Sequence, residues 1–456
     1  MTRLKRTLRT ADGLAMMVGI IVGSGIFRTP GIVARQLGRP ILTFVAWVLG
    51  GALAFLGTLV FAELAARLPQ AGGKYVYARE AFGRRAAFVV GWVEALGMYA
   101  AAIAAIGTVG GEYLGRLLGA PAGSTPWLAA GWVALFTWIN LVGVASGRWV
   151  QNVVTAAKLL ALAGLVVVAF ATGSGTGPST VLPAAPRGVD VWGALAVAFR
   201  SVIWTYYGYA DAAKIAEEVV DPGRTLPRIF LGGIATVIAL YLLLNAAFLH
   251  VLPIERIAAS NLVAGDVAQV IFGAKSGIVM AALALLVVLA GLNGNVFVTP
   301  RVIFGLARDG LAPGVFARVN AGGTPWAAML LVGVVSIALV ATGTFERLLA
   351  LAITLVLVVD GAMMFALVRL RREQPDAPFL VPFYPLVPLL FVGVYAALFV
   401  GTALEQPALA ALTIGLLVVH LRPILDGPRA ALTRPLQRLN PMTCARARAH
   451  QQGERR

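Results

Sequence analysis

The sequence predicts an all-α polytopic membrane protein, and three observations carry the prediction. Only 12% of its 456 residues are charged, about half of the roughly 25% usual in soluble domains. Its apolar runs match the roughly 20 residues a helix needs to cross a bilayer, and the mean hydropathy is +0.85. Its cations gather in alternate loops, at Arg3–Arg9, Arg67–Arg85, Arg224 and Arg228, Arg301–Arg318 and Arg369–Arg372, with further arginines after Arg422. The loops between hold only scattered cations such as Arg116, Arg187, Arg256 and Arg347. This positive-inside alternation places both termini in the cytoplasm. The net charge of +17 therefore reports topology, with anionic lipid as one further contact for the tail and no nucleic acid expected.

Apolar windows give twelve spans. The first ten lie near 12–37, 40–66, 86–118, 126–145, 149–172, 190–218, 227–252, 275–308, 325–342 and 346–370, and the last two near 381–403 and 406–423. An even number agrees with two cytoplasmic termini. A short amphipathic piece, "NLVAGDVAQVIFG", precedes the eighth span and is expected at the outer surface. The domain reading follows: a cytoplasmic N-terminus (1–11), a first repeat (12–172), a second repeat (190–370), two further spans (381–423) and a basic cytoplasmic tail (424–456). No cleavable leader is expected, because the first apolar run is long and lacks a small-residue cleavage site. Cys444 is the only cysteine, so no disulfide framework or thiolate metal cluster is expected.

Two spans are irregular. The first carries Gly23-Ser24-Gly25 in its middle, and the sixth carries "WTYYGYADAAK", in which Gly208, paired tyrosines and Asp211 interrupt an apolar helix. A single Gly-Ser-Gly run is compatible with close helix packing alone. Two interruptions five spans apart, in halves of opposite orientation, point instead to inverted repeats with a binding site at the bilayer midplane. The long third and eighth spans also occupy equivalent places, giving a five-plus-five arrangement followed by two extra helices.

Unwinding a helix frees N–H groups on one side and carbonyls on the other, and in hydrocarbon these must line a cavity or hold a ligand. Free N–H groups near Gly25 sit at a positive dipole end suited to a carboxylate. Ser24 adds a hydroxyl donor, and glycine leaves room for close approach. Carbonyls near Ile21 and at the sixth-span break suit an ammonium. Donors and acceptors in one site fit a zwitterion, an α-amino acid.

At these residues the sequence resembles a family. "GIIVGSGIF" is similar to the first-span motif of the amino acid–polyamine–organocation superfamily, especially its L-amino-acid transporter branch. "LPQAGGKYVYAREAFG" (68–83) resembles that family's loop between spans two and three. "EEVVDPGRTLPR" (217–228) resembles its stretch after span six, and "GLNGNVFVTPRVIFGLARDGLAP" (291–313) its eighth span. The resemblance covers nearly the whole chain. It implies the LeuT-like five-plus-five fold, a secondary active transporter working by alternating access, and a bundle of spans 1, 2, 6 and 7 rocking against a scaffold. It also implies that Ser24 and Gly25 hold the substrate carboxylate, with Gly23 beside them in the substrate site. The carbonyls of Ile21, Trp204 and Tyr207 beside Gly208 would take the amine, and Trp204 would be the outer gate. The sequence departs from its relatives at Trp204, where phenylalanine is common, and at Tyr207, where glycine or aspartate is common, so Tyr207 is expected to shape the side-chain pocket.

Ionisable residues inside spans demand a reason. Lys158 is read either as snorkelling toward Arg148 or as facing a polar cavity. The resemblance implies that its ammonium stands where sodium binds in sodium-coupled relatives, hence sodium-independent transport. It is also a candidate proton carrier. Asp360 is a functional candidate or half of a structural ion pair. Glu63 and Glu94 are expected to pair with the arginine-rich loop. Asn293 and Tyr206 are candidate neighbours of the site, while Arg28 and Arg200 either attract anions or snorkel.

The expected function is sodium-independent α-amino acid transport, by exchange or proton coupling, in the inner membrane of a bacterium or archaeon. The partners expected are an amino acid, the lipid bilayer and protons, with no cofactor, metal, nucleotide or obligate partner subunit. A polyamine or small-amine permease of the same fold is the nearest alternative. A polytopic membrane enzyme is the rival class, but the histidines (His250, His420, His450) form no metal-binding pattern, and no phosphate-binding GxxxxGK[ST] run occurs.

Overall fold

A computed structural model describes residues 4–23, 25–172, 189–341, 345–405 and 411. Every regular element among them is helical. The first span is two helices, α1 (Thr10–Ile21) and α2 (Gly25–Leu37), whose axes differ by 46°. Val22 leaves helical geometry at ψ 88°, so the glycine-flanked run does interrupt the span. α3 (Pro40–Arg67) starts on a proline, which lacks the N–H that a first-turn residue leaves unbonded. α4 (Lys74–Phe82) is a short buried helix in the basic loop that follows. The third span combines α5 (Arg84–Trp92), a π-helical segment over Val93–Tyr99, and α6 (Ala100–Leu118).

α7 (Thr125–Val142) and α8 (Val144–Thr172) complete the first half. The sixth span begins as α9 (Val189–Tyr206), turns at Gly208 and resumes as a 3-10 segment, Asp211–Glu218. α10 (Pro222–Val251) and two short helices, α11 (Ile254–Ala259) and α12 (Val263–Phe272), lead to α13 (Ser276–Val298) and α14 (Pro300–Arg308). α15 (Trp326–Ala341), α16 (Phe345–Glu373) and α17 (Leu386–Glu405) follow. Six of the described helical segments are long and apolar enough to cross a membrane, and the bent α1–α2 pair makes a seventh; α15 and Leu386–Gly401 are shorter apolar helices. The amphipathic piece predicted before the eighth span is α12, which buries Val263, Ala264, Val267 and Ala268. The twelfth span (406–423) and the tail, with Cys444, His420 and His450, lie outside the described residues but for the single helical residue 411.

Packing sorts the helices into two sets. α10 packs on both α1 and α3, and α2, α3 and α9 pack together, while α6, α7, α8, α13 and α15 form a second body. α1 lies between them, touching α10 on one side and α8 and α13 on the other. The chain ahead of α1 closes the end that carries the basic loops. Leu8 forms a parallel bridge with Val219; the N–H groups of Thr7 and Leu8 donate to Glu218 O at 2.9 Å, and that of Val220 donates to Leu8 O at 2.9 Å.

Candidate functional site

The two helix breaks meet. Gly208 has φ +117°, a region few side chains tolerate, and a Cβ placed on it would lie 3.1 Å from Ile20 Cγ2 and 3.2 Å from Ile21 Cγ1. Only glycine lets the sixth-span turn approach the first so closely. A Cβ on Gly25 would likewise lie 3.1 Å from Thr205 Oγ1, and that hydroxyl shares a 2.7 Å hydrogen bond with Thr29.

The carbonyls freed by the first break are taken up by side chains from two other helices. Lys158 of α8 is fully buried. Its Nζ donates to Gly19 O at 3.0 Å and to Val22 O at 2.8 Å. Tyr241 of α10 places its hydroxyl 3.0 Å from Ile21 O and 3.1 Å from Thr205 O, so one side chain spans both breaks. Its single proton serves one carbonyl at a time.

A cavity of about 170 Å³ opens beside the breaks. Ile21, Gly23, Gly25, Trp204, Tyr207 and Gly208 all line it; Ser24 lies outside the described residues. Apolar side chains of the third and eighth spans, among them Ile106, Val109 and Val287, form the wall away from the basic loops. Trp204 and Tyr207 stack with ring centres 5.8 Å apart and planes 5° apart. The Trp204 carbonyl already accepts the Tyr207 N–H at 3.0 Å, so it and Ile21 O each keep one lone pair for a ligand.

Below the cavity, toward the basic loops, lies a buried charged layer. Lys74 of α4 donates to the Tyr207 hydroxyl at 2.8 Å and pairs with Asp360 of α16 at 2.6 Å. Tyr209 reaches the Asp360 carboxylate at 3.4 Å and Tyr395 at 2.9 Å. Lys214 pairs with Asp211 at 2.5 Å and lies 3.3 Å from Glu94; Tyr99 donates to Asp211 and carries the Lys214 ammonium over its ring. Asp211 and Tyr99 also line the cavity floor. Nearer the loops, Arg301 pairs with Glu218 at 2.8 Å and Arg308 with Glu217 at 2.7 Å.

Other candidate residues lie apart from the cavity. Asn293 donates to Gln151 at 2.8 Å and Gly147 O at 3.2 Å, and accepts from Asn140 at 2.8 Å, which makes it a tie between α7, α8 and α13. Tyr206 points to α3, its hydroxyl 3.3 Å from Trp47 O. Asp360 reaches the site only through Lys74 and Tyr207. Glu63 pairs with Arg67 at 2.6 Å and Arg371 at 3.2 Å, as expected of a basic-loop partner. Glu94 departs from that expectation: it is fully buried against Lys214, because the π turn aims it inward. Arg28 is exposed. Sequence reasoning passed over Tyr241, whose place in an unbroken apolar helix carries no signal. Lys74, Asp211 and Lys214 sat inside the quoted motifs, and their charge in near-apolar surroundings was the available clue.

Paired helix breaks facing one cavity, with a lysine bonded to the unwound turn in a chain of long apolar helices, define a multi-pass helical membrane protein. The sequence profile of the amino acid permease family matches residues 8–419, and the chain belongs to that family. It is 27% identical over 396 residues to the serine/threonine exchanger of Bacillus subtilis, covering 86% of this chain and 89% of that protein. It is 28% identical over 425 residues to the human large neutral amino acids transporter small subunit 2, covering 91% and 79%. It is 28% identical over 426 residues to the mouse Asc-type amino acid transporter 1, again covering 91% and 79%. These relatives are named as transporters and not as enzymes. The designation "small subunit" leaves the expected independence from a partner subunit without support.

Proposed function

We propose that this protein is a secondary active transporter of α-amino acids that works by alternating access and needs no sodium. The observation that carries the reading is the meeting of two helix breaks at one cavity, with Lys158 bonded to the carbonyls of Gly19 and Val22. A fixed ammonium supplies the positive charge that a bound cation would otherwise bring to those carbonyls. N–H groups of Gly23, Ser24 and Gly25 would take the substrate carboxylate. The remaining lone pairs of Ile21, Trp204 and Tyr207 would take its amine, Gly208 would keep the breaks together, and Trp204 would gate the outer side.

The repeats would be 12–172 and 190–370, with 381–423 as two added spans and both termini cytoplasmic in a bacterial or archaeal inner membrane. The ion pairs Arg301–Glu218 and Arg308–Glu217 and the Leu8–Val219 bridge hold the basic-loop end shut. This supports a structure closed to the cytoplasm, in which the α1–α2–α3–α9–α10 body would rock against the other. The apolar cavity wall favours a neutral side chain, since the carboxylate lining the cavity, Asp211, is already engaged by Lys214 and Tyr99.

The test is uptake of radiolabelled L-serine, L-threonine and L-leucine into proteoliposomes preloaded with each amino acid. Counterflow that is indifferent to replacing sodium by potassium is expected. Uptake that requires sodium, or none of any amino acid, defeats the reading.

A further inference from the structure

Five ionisable side chains lie together beneath the cavity: Lys74, Lys214, Glu94, Asp211 and Asp360. Each is no more than 1% exposed. They act on one another electrostatically as one group. Two are cations and three are carboxylates, so the cluster carries one surplus negative charge when all are ionised. The neighbouring pairs Arg301–Glu218 and Arg308–Glu217 are each balanced and lend it no cation. An uncompensated charge in such surroundings costs several kcal/mol, and one proton removes it.

The geometry assigns the surplus to one residue. Asp360 has Lys74 at 2.6 Å, and Asp211 has Lys214 at 2.5 Å and the Tyr99 hydroxyl. Glu94 has only the shared Lys214, at 3.3 Å from one oxygen, and its other oxygen has no hydrogen-bond partner. It sits in the π segment, where the i→i+5 ladder sets it in line with Tyr99. The groups facing it are Lys74 and Tyr77 from α4, Asp211 and Lys214 from the 3-10 segment and Tyr99 from its own segment, with Asp360 of α16 set behind Lys74. The Tyr77 hydroxyl, buried, has no partner. On α14, which also packs on the π segment, the cations Arg301 and Arg308 are engaged by Glu218 and Glu217.

We infer that Glu94 is a proton-binding site that couples amino acid transport to a proton gradient. The inference rests on the transport reading above and chooses proton symport over obligatory exchange. A proton enters from the outer side through the cavity, whose floor is Asp211 and Tyr99, and ends on the Glu94 carboxylate. Neutral Glu94 lets the third span close on Lys214 of the sixth. Opening toward the cytoplasm parts Glu94 from Lys214, exposes the carboxyl to water and releases the proton there, one per substrate.

The test uses the full chain in proteoliposomes with the potential clamped at zero, a pH dye inside, and radiolabelled L-serine, L-threonine and L-leucine as probes. Wild type is expected to acidify the interior as it takes up amino acid. An acid-outside gradient of one pH unit should sustain accumulation approaching about tenfold, the factor equivalent to about 1.4 kcal/mol. E94Q should lose both signals, its counterflow becoming indifferent to pH, while E94D should restore proton movement with a shifted pH profile. Gradient-driven accumulation by E94Q, or wild-type counterflow that persists while vesicles without internal amino acid show neither net uptake nor acidification under the acid-outside gradient, overturns the proton site and leaves transport standing. Absence of wild-type counterflow instead defeats the transport reading itself. Should E94Q fail to fold, E94D decides: a pH profile superimposable on wild type overturns the inference.

Discussion

Lys158 and Tyr241 do related work on the first-span break from opposite sides. Removing a partner from a buried carbonyl costs about 1–3 kcal/mol. Lys158→Ala strips two such carbonyls at once, those of Gly19 and Val22. Uptake in proteoliposomes is expected to fall at least about tenfold, the factor that 1.4 kcal/mol corresponds to; full activity would remove Lys158 from the mechanism. Tyr241→Phe keeps the ring and deletes only the hydroxyl that spans Ile21 O and Thr205 O. At the same energetic scale of about 1–3 kcal/mol, the concentration giving half-maximal uptake should rise roughly tenfold. An unchanged concentration dependence would mean the bridge is structural filler.

At the scale of elements, the sixth-span turn depends on Gly208. A side chain at φ +117° is strained by about 1–3 kcal/mol, and its Cβ would press on Ile20 and Ile21. Gly208→Ala should therefore push the two broken spans apart. Both thermal stability and the stabilisation given by added amino acid are expected to drop, measured by thermal shift of purified protein. A variant that keeps wild-type ligand stabilisation would show that the breaks need not touch. The π segment is a second element-scale device: it gives the third span one wide turn and so brings Glu94 and Tyr99 to the sixth span together.

For the whole molecule, the closed basic-loop end rests on the buried Arg301–Glu218 pair between α14 and the 3-10 segment, with the half-buried Arg308–Glu217 pair beside it. Breaking a buried ion pair by removing one partner costs about 3–5 kcal/mol, enough to shift a two-state balance by more than a hundredfold. Glu218→Gln should thus favour the cytoplasm-open form. In a Cys444→Ser background, Ala213→Cys, buried in the closed structure, should then react faster with an impermeant maleimide applied from the basic-loop side. Equal labelling with and without Glu218→Gln would exclude the Arg301–Glu218 pair as a gate.

The sequence alone determined the helical, multi-pass character and the two interruptions, and it marked Lys158 as a charge that needs polar company. Each is written in local chemistry: long apolar runs, a Gly-Ser-Gly run or polar aromatics where a helix should continue, and a charge where hydrocarbon forbids one. The loop arginines were equally legible, and Glu63 followed the rule that a carboxylate near them finds one. Only the tertiary structure decided what the breaks face. Gly208 against Ile20 and Ile21, Tyr241 across both breaks and Asn293 within the α7–α8–α13 tie are contacts between segments far apart in the chain, and no local pattern encodes them. Glu94 was misread for the same reason. A π turn and a lysine 120 positions away, rather than its sequence neighbours, set its surroundings.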